Sequence, residues 1–276
     1  WKIHANMDSP TTDLNTDFKF AINIGDSFDL LIEDNKDILE EIQEEIHYSY
    51  GRLEKMFNDD MGVFKDSDFY NWNRAKGVLE FLFDISLMPL ILIDNTEYSF
   101  DKYKDILKSF IEYFDDSEWI ETDKFIFQFS SDIPTDLKDD LRTFILDNFN
   151  IAVLEEDFQI VNNLNPIYDT AYMLPYIIHN RIINNKPLNF LKAFDVLEKA
   201  LNITNEVFIG APGIVNDMGI RKPSYYAYYL MSKLGNKVVS IEDGCIVTKG
   251  DDFYAILLYS HNDDINDLAN YSDIYK

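Results

Sequence analysis

Phe18-Lys19-Phe20-Ala21-Ile22-Asn23-Ile24-Gly25 alternates large apolar residues with smaller or polar ones and then meets a glycine. That is how a β-strand reads when it runs into a turn. Downstream the period changes from two to helical. Asn35 is placed to cap a helix whose apolar positions Ile38, Leu39, Ile42 and Ile46 fall on one face. A second strand-like stretch spans Tyr48 to Met56, and a second helix carries Trp72, Ala75, Val78, Leu79 and Leu82. Strand then helix, twice over, predicts a parallel α/β architecture.

The alternation continues. Pro89 opens the strand Leu90-Ile91-Leu92-Ile93, and Tyr103, Ile106, Leu107, Phe110, Ile111 and Phe114 form an unbroken apolar helical stripe. Strand Phe125 to Phe129, a helix around Leu141 to Leu146 and strand Ile151 to Leu154 follow. A helix is expected from Asp169 to about Ile183, kinked at Pro175. The last helix begins at Pro223 and stops before Gly235. Beyond it, Lys237 to Ile241, Cys245 to Thr248 and Phe253 to Tyr259 read as strands, with turns at Asp243-Gly244 and Gly250-Asp251. The expectation is an incomplete, degenerate (β/α) barrel over residues 16–235. An antiparallel β appendage is expected at 236–276, joined by an N-terminal strand within 1–15.

Charge limits the possible partners. The 276 residues hold 24 Lys+Arg against 50 Asp+Glu, a formal net charge of -26. Such a surface repels nucleic-acid backbones, whose binding needs cations that displace counterions, and it repels anionic membranes too. No apolar run approaches the roughly 18 residues of a membrane span, and no signal peptide is visible. Cys245, the single cysteine, reads as a small buried hydrophobe. These features place the chain in the cytoplasm. Its start at Trp1 suits a piece of a longer protein.

The quoted segments, in order, resemble glycoside hydrolase family 39, in the form fused to AraC-type transcriptional regulators. Phe20-Ala21-Ile22-Asn23-Ile24-Gly25 with Asp29-Leu30-Leu31 is similar to its first barrel strand. Asn58-Asp59-Asp60-Met61, Tyr70-Asn71-Trp72 and the run Leu79 to Pro89 follow the family pattern. So do Asn165-Pro166-Ile167-Tyr168-Asp169-Thr170-Ala171, Lys222-Pro223-Ser224-Tyr225-Tyr226-Ala227-Tyr228 and Ser232-Lys233-Leu234-Gly235. The resemblance implies descent from retaining glycosidases, which place two carboxyl groups about 5–5.5 Å apart across the scissile bond.

It also implies where those groups would sit. Asp132, in Ser130-Ser131-Asp132-Ile133-Pro134, falls at the acid/base glutamate, one methylene short and preceded by Ser131 where the family has Asn. Glu156 falls at the nucleophile. A sugar-contacting His is replaced by Glu54 although Arg52 matches, Leu92 replaces a Glu, and Leu191 stands where a Trp would floor the site. Between Asp132 and Glu156 there is room for one helix, where the family has two strand–helix units. Staves are therefore missing.

Each candidate has a plainer reading. Glu156 lies in the triplet Glu155-Glu156-Asp157, which suits a solvated strand end. Asp132 could instead cap the following helix. Asp59-Asp60 could hold a cation or simply shape a loop. His4, His47, His179 and His261 lack ligand spacing, and Asn262-Asp263-Asp264 with Asn266-Asp267 lacks the glycine of a calcium loop, so neither metal nor cofactor is expected. Tyr225, Tyr226, Tyr228 and Tyr229 could form a sugar platform or pack a helix. Gly210-Ala211-Pro212-Gly213 precedes no phosphate-binding helix.

The leading expectation is a non-catalytic ligand-sensing or self-association module of a transcriptional regulator. A helix-turn-helix part outside this chain would touch DNA. A carbohydrate or small-molecule effector would meet Arg52, Glu54, Asp60 and Glu156, and the module could form a homodimer. The alternatives are a weakly active retaining xylosidase-like hydrolase using Asp132 and Glu156, and a purely structural dimerisation domain.

Overall fold

Apolar runs of three to six residues become parallel strands here, each delivered by a helix of one-sided hydrophobicity. The computed structural model describes residues 12–66, 69–155, 161, 163–185, 191–196 and 207–261. Contacts divide the chain into two units. One comprises Ala21–Glu44 and Tyr48–Phe158, the other Trp1–Phe20, Glu45–His47 and Gln159–Lys276.

After a two-residue strand β1 (Thr12–Asp13) comes β2 (Ala21–Asp26), then α1 (Glu33–Ile46), β3 (Tyr50–Glu54), the short pair β4 (Phe64–Asp66) and β5 (Phe69–Tyr70), and α2 (Asn73–Asp84). Next follow β6 (Met88–Ile93), α3 (Phe100–Asp115), β7 (Ile126–Phe129), α4 (Thr135–Phe149) and β8 (Ala152–Leu154). In the first unit β2, β3, β6, β7 and β8 lie side by side, all parallel. One helix, α4, separates β7 from β8, as the spacing predicts.

Strand β2 starts at Ala21, not Phe18. Phe18 belongs to a 3-10 turn over Asp17–Lys19. Ala21 to Gly25 are all buried, so alternation cannot mark the strand's start: a parallel strand covered on both faces needs no polar side. Gly51 on β3 lets β2 and β6 close up, because a Cβ there would lie 2.7 Å from Ile24 and 2.9 Å from Leu87. Asn35 is not a cap. Helix α1 begins two residues earlier, and the buried Asn35 amide donates to the Asp29 carbonyl at 2.8 Å.

Helix α3 is the unit's main hydrophobic wedge. Ser99 caps it, its Oγ accepting from the Lys102 N–H at 3.3 Å. Its six predicted stripe residues are all buried. Each contributes about 1.5–3 kcal/mol of burial. Phe110 meets Phe57 and Trp72 edge-on, with centroids 5.2 and 5.1 Å away.

The second unit holds the parallel pair β9 (Lys192–Phe194) and β10 (Gly213–Val215), with α5 (Met173–Ile178) and α6 (Pro223–Ser232). The long helix expected from Asp169 is instead three pieces: a 3-10 turn at Pro166–Asp169, α5, and a π turn at His179–Ile183. Pro175 sits in the first turn of α5, where no N–H partner is lost, so it starts a helix rather than kinking one. Strands β11 (Lys237–Glu242), β12 (Cys245–Lys249) and β13 (Tyr254–Leu258) form the predicted meander, with Gly244 at φ 81° in its first turn. The N-terminal partner is β1, pairing Thr12 with Val238, whereas Trp1 to Asn6 lie outside the described residues. Cys245 is buried and free. The acidic stretch from Asn262 to Asp267 also lies outside the described residues.

Candidate functional site

In a parallel α/β unit, side chains that do chemistry gather where the strands end. The first unit follows that rule. Ile24-Gly25-Asp26, Leu53-Glu54 and Ile93-Asp94 each carry a carboxylate off the C-terminal end of an apolar strand.

Arg52 organises the interior beneath them. The β2–β3 register pairs Asn23 with Arg52, and the β6–β7 register pairs Leu92 with Gln128. With Leu90 opposite Arg52, these residues share one face of the sheet. Arg52 is 5% exposed. Its Nε donates to Gln128 Oε1 at 2.9 Å, and its Nη1 donates to Asn23 Oδ1 at 3.2 Å and to Glu54 Oε1 at 2.5 Å. The guanidinium is thus held on three sides. Asn23 Nδ2 is buried with no hydrogen-bond partner among the described residues.

A second set of contacts tops this one. Lys55 pairs with Asp26 at 2.8 Å, and its backbone N–H donates to Asp94 Oδ2 at 2.7 Å. Burial, helped by the charge of Glu54 and opposed by the Lys55 N–H, raises the Asp94 carboxyl above the usual aspartate range. Its other oxygen, Oδ1, is buried without a hydrogen bond among the described residues.

The sequence candidates divide accordingly. Arg52 and Glu54 come together as an ion pair. Asp60 lies on the 3-10 turn Asp59–Met61, where its carbonyl accepts from Arg74 at 2.6 Å, and it acts on Lys55 through its charge. Asp132 is exposed in a turn after β7, its N–H donating to Ser130 Oγ at 3.3 Å. It does not cap α4: Pro134 occupies the N-cap, with no side-chain cap bond. Glu156 lies outside the described residues. Leu92 is 6% exposed, an apolar side chain on the face shared by Arg52 and Gln128. Leu191 is also buried. Among the described residues no three His, Cys, Asp or Glu side chains are grouped to hold a metal ion.

Sequence reasoning passed over Asp26, Lys55 and Asp94, although an acid directly after an apolar strand was a usable signal. It also passed over the buried cluster of the second unit. Lys222, fully buried, lies 2.6 Å from Asp195 and 2.8 Å from Asp169, and donates to the Ala211 carbonyl at 2.8 Å. Asp195 accepts from the Gly213 N–H at 2.7 Å, and Asp169 from that of Gly210. Burial raises the Asp195 carboxyl, and Lys222 pulls it down. In the same unit Glu45 takes both guanidinium nitrogens of Arg221, at 3.2 and 2.9 Å, and the Tyr225 hydroxyl at 2.6 Å. Tyr225 is therefore a packed, hydrogen-bonded side chain, and Tyr228 is buried beside it on α6.

No protein-family model matches the chain, and no curated protein is detectably similar to it. Solved structures are. A monomeric β-xylosidase from Caulobacter crescentus CB15 superposes with a TM-score of 0.76 at 14% identity, covering 93% of this chain and 76% of that one. A GH39 β-xylosidase from Caulobacter crescentus gives 0.74 at 15% identity, covering 93% and 80%. The GH39 enzyme from Xanthomonas axonopodis pv. citri gives 0.75 at 14% identity, covering 92% and 74%. At such identities the likeness shows the fold: an α/β, TIM-barrel-like fold similar to that of GH39 glycosidases. Among the described residues no helix is long and apolar enough to cross a membrane.

Proposed function

We propose that this chain is a non-catalytic, glycosidase-like module that senses a ligand or mediates self-association, as part of an AraC-type transcriptional regulator. One observation carries the reading: the Arg52 guanidinium is spent on Asn23, Gln128 and Glu54 inside the sheet's polar face. Retaining hydrolysis needs two carboxyl groups about 5–5.5 Å apart across the scissile bond, and the carboxylate nearest this face, Glu54, is tied up in the ion pair with Arg52. Leu92 adds an apolar side chain to the same face, and Asp132 stands in an exposed turn. The single helix between β7 and β8 supports a barrel with staves missing.

The regulatory half follows from charge and from the family resemblance. A net charge of -26 leaves DNA contact to a separate basic domain. A homodimer would match two-fold operators. Sedimentation of the chain with and without pentoses and oligosaccharides tests the reading. Ligand-dependent mass or a ligand-raised melting temperature supports it. A strict monomer at high concentration, indifferent to every sugar, removes both the sensing and the self-association roles.

A further inference from the structure

The antiparallel sheet of the second unit has two unlike edges. Its order, β1-β11-β12-β13, puts β1 and β13 outermost among the described residues. Natural sheets blunt such edges with short strands, charges or proline, because a bare edge pairs with another chain. Strand β1 is blunted: it is two residues long, and its Asp13 is ion-paired to Lys237. Strand β13 is not. Phe253 to Ser260 holds no charged residue and no proline, in a chain where 27% of residues are charged, and its ladder to β12 runs without a bulge.

The open side of β13 is apolar. The Tyr259 N–H bonds the Gly244 carbonyl at 3.1 Å, and the Gly250 N–H bonds the Phe253 carbonyl at 2.9 Å. The register sets Leu258 opposite Cys245 and Ile256 opposite Val247, so these two bonds fix the alternation. Odd-numbered residues bond to β12, and the N–H and C=O of Ile256 and Leu258 point to the open edge. The Ile256 and Leu258 side chains are 62% and 66% exposed, whereas Val247 and Cys245, beside them on the same face, are 3% and 1% exposed. Burial stops between β12 and β13. The last strand overhangs as a ledge, with Tyr254 also exposed on it.

We infer that β13 is a self-association edge, on which two copies of this chain pair β13 to β13, antiparallel, about a two-fold axis at Ile256. That register is self-complementary. Ile256 meets the partner's Ile256 and exchanges both backbone hydrogen bonds with it, and Leu258 meets the partner's Tyr254. Charge favours a second copy as the occupant. A cationic partner would use the acidic surface and gain nothing from a neutral strip, whereas an equally acidic one, in a chain of net charge -26, can approach only along such a strip. The same register sets Asp252 opposite the partner's Ser260 and Asp251 opposite the partner's His261, so no two acids face each other along the strand. Three half-bare side chains and a strand edge bury less than the roughly 800 Å² per partner of a stable interface, so the dimer is weak and concentration-dependent. The inference deepens the self-association half of the proposed function and rests on it.

Sedimentation equilibrium of the whole chain, from low micromolar to millimolar protein at physiological salt, tests it. A monomer–dimer equilibrium is expected. Ile256→Lys sets two lysines against each other on the axis, and dimerisation should weaken by about tenfold or more, because like charges directly opposite repel. Its melting temperature, read where the parent is monomeric, should hold, since Ile256 is exposed. Ile256→Cys should cross-link to its own copy under mild oxidation, because paired Cα atoms about 5.5 Å apart suit a disulfide. Ile241→Cys, exposed on β11, should not. A dimer that persists in Ile256→Lys, with Ile256→Cys left uncross-linked, overturns this edge and leaves the self-association reading standing. A parent that stays monomeric at millimolar protein overturns both. If that monomer's Ile256 N–H is protected from hydrogen exchange, the edge belongs to another segment of the same chain.

Discussion

Arg52 on β3 reaches over the intervening strand β6 to Gln128 on β7, its Nε lying 2.9 Å from Oε1. The bond ties β3 to β7 across β6 through side chains, on the sheet's polar face.

Removing the guanidinium weakens the network. Arg52→Met takes the guanidinium's hydrogen bonds away from the buried Asn23 Oδ1 and Gln128 Oε1, at a cost of about 2–4 kcal/mol. Glu54→Gln should cost less than about 1 kcal/mol, because Glu54 is partly exposed and the amide oxygen still accepts. Urea unfolding of both variants checks this. An Arg52→Met protein as stable as its parent would mean the network is ornamental.

Asp94 gives stability a pH signature. Its folded carboxyl is raised, chiefly by burial, so between the ordinary aspartate range and that raised value the folded state holds more protons than the unfolded. Stability should therefore fall as pH rises through that window. Asp94→Asn can still accept the Lys55 N–H but removes the titration. The variant should match the parent at acid pH and exceed it at neutral pH in urea unfolding. Equal stability differences at both pH values would contradict the assignment.

Lys222 is the fully buried cation between Asp169 and Asp195. Lys222→Met abandons two carboxylates in the interior and should cost about 3–5 kcal/mol. Adding Asp195→Asn should restore part of that loss. If the double variant is no more stable than the single one, the charge argument fails.

Some of this was legible in the chain. The α3 stripe reads cleanly because one face is buried and the other wet, so its period survives in the residues. Strand β2 is buried on both sides, and its N-terminal limit is therefore blurred into the turn at Phe18. Asn35 misled because its residue type fits a helix terminus and its side chain serves nearly as well within the first turn; Pro175 misled because three separate helical pieces read as one long helix in which it would be interior. Arg52 was visible as a candidate by type and place. Its confinement by Gln128, distant in sequence, depends on strand order, which no local pattern encodes. Lys222 likewise appeared only within a recognisable segment, since its two acids come from separate loops.

Hydrolysis of an aryl β-xyloside by the whole chain, alongside Asp132→Asn and Glu156→Gln, tests the non-catalytic reading most directly. Phenol should be released no faster than in the protein-free blank, for the parent and both variants alike. Turnover above the blank that vanishes in Glu156→Gln would contradict it.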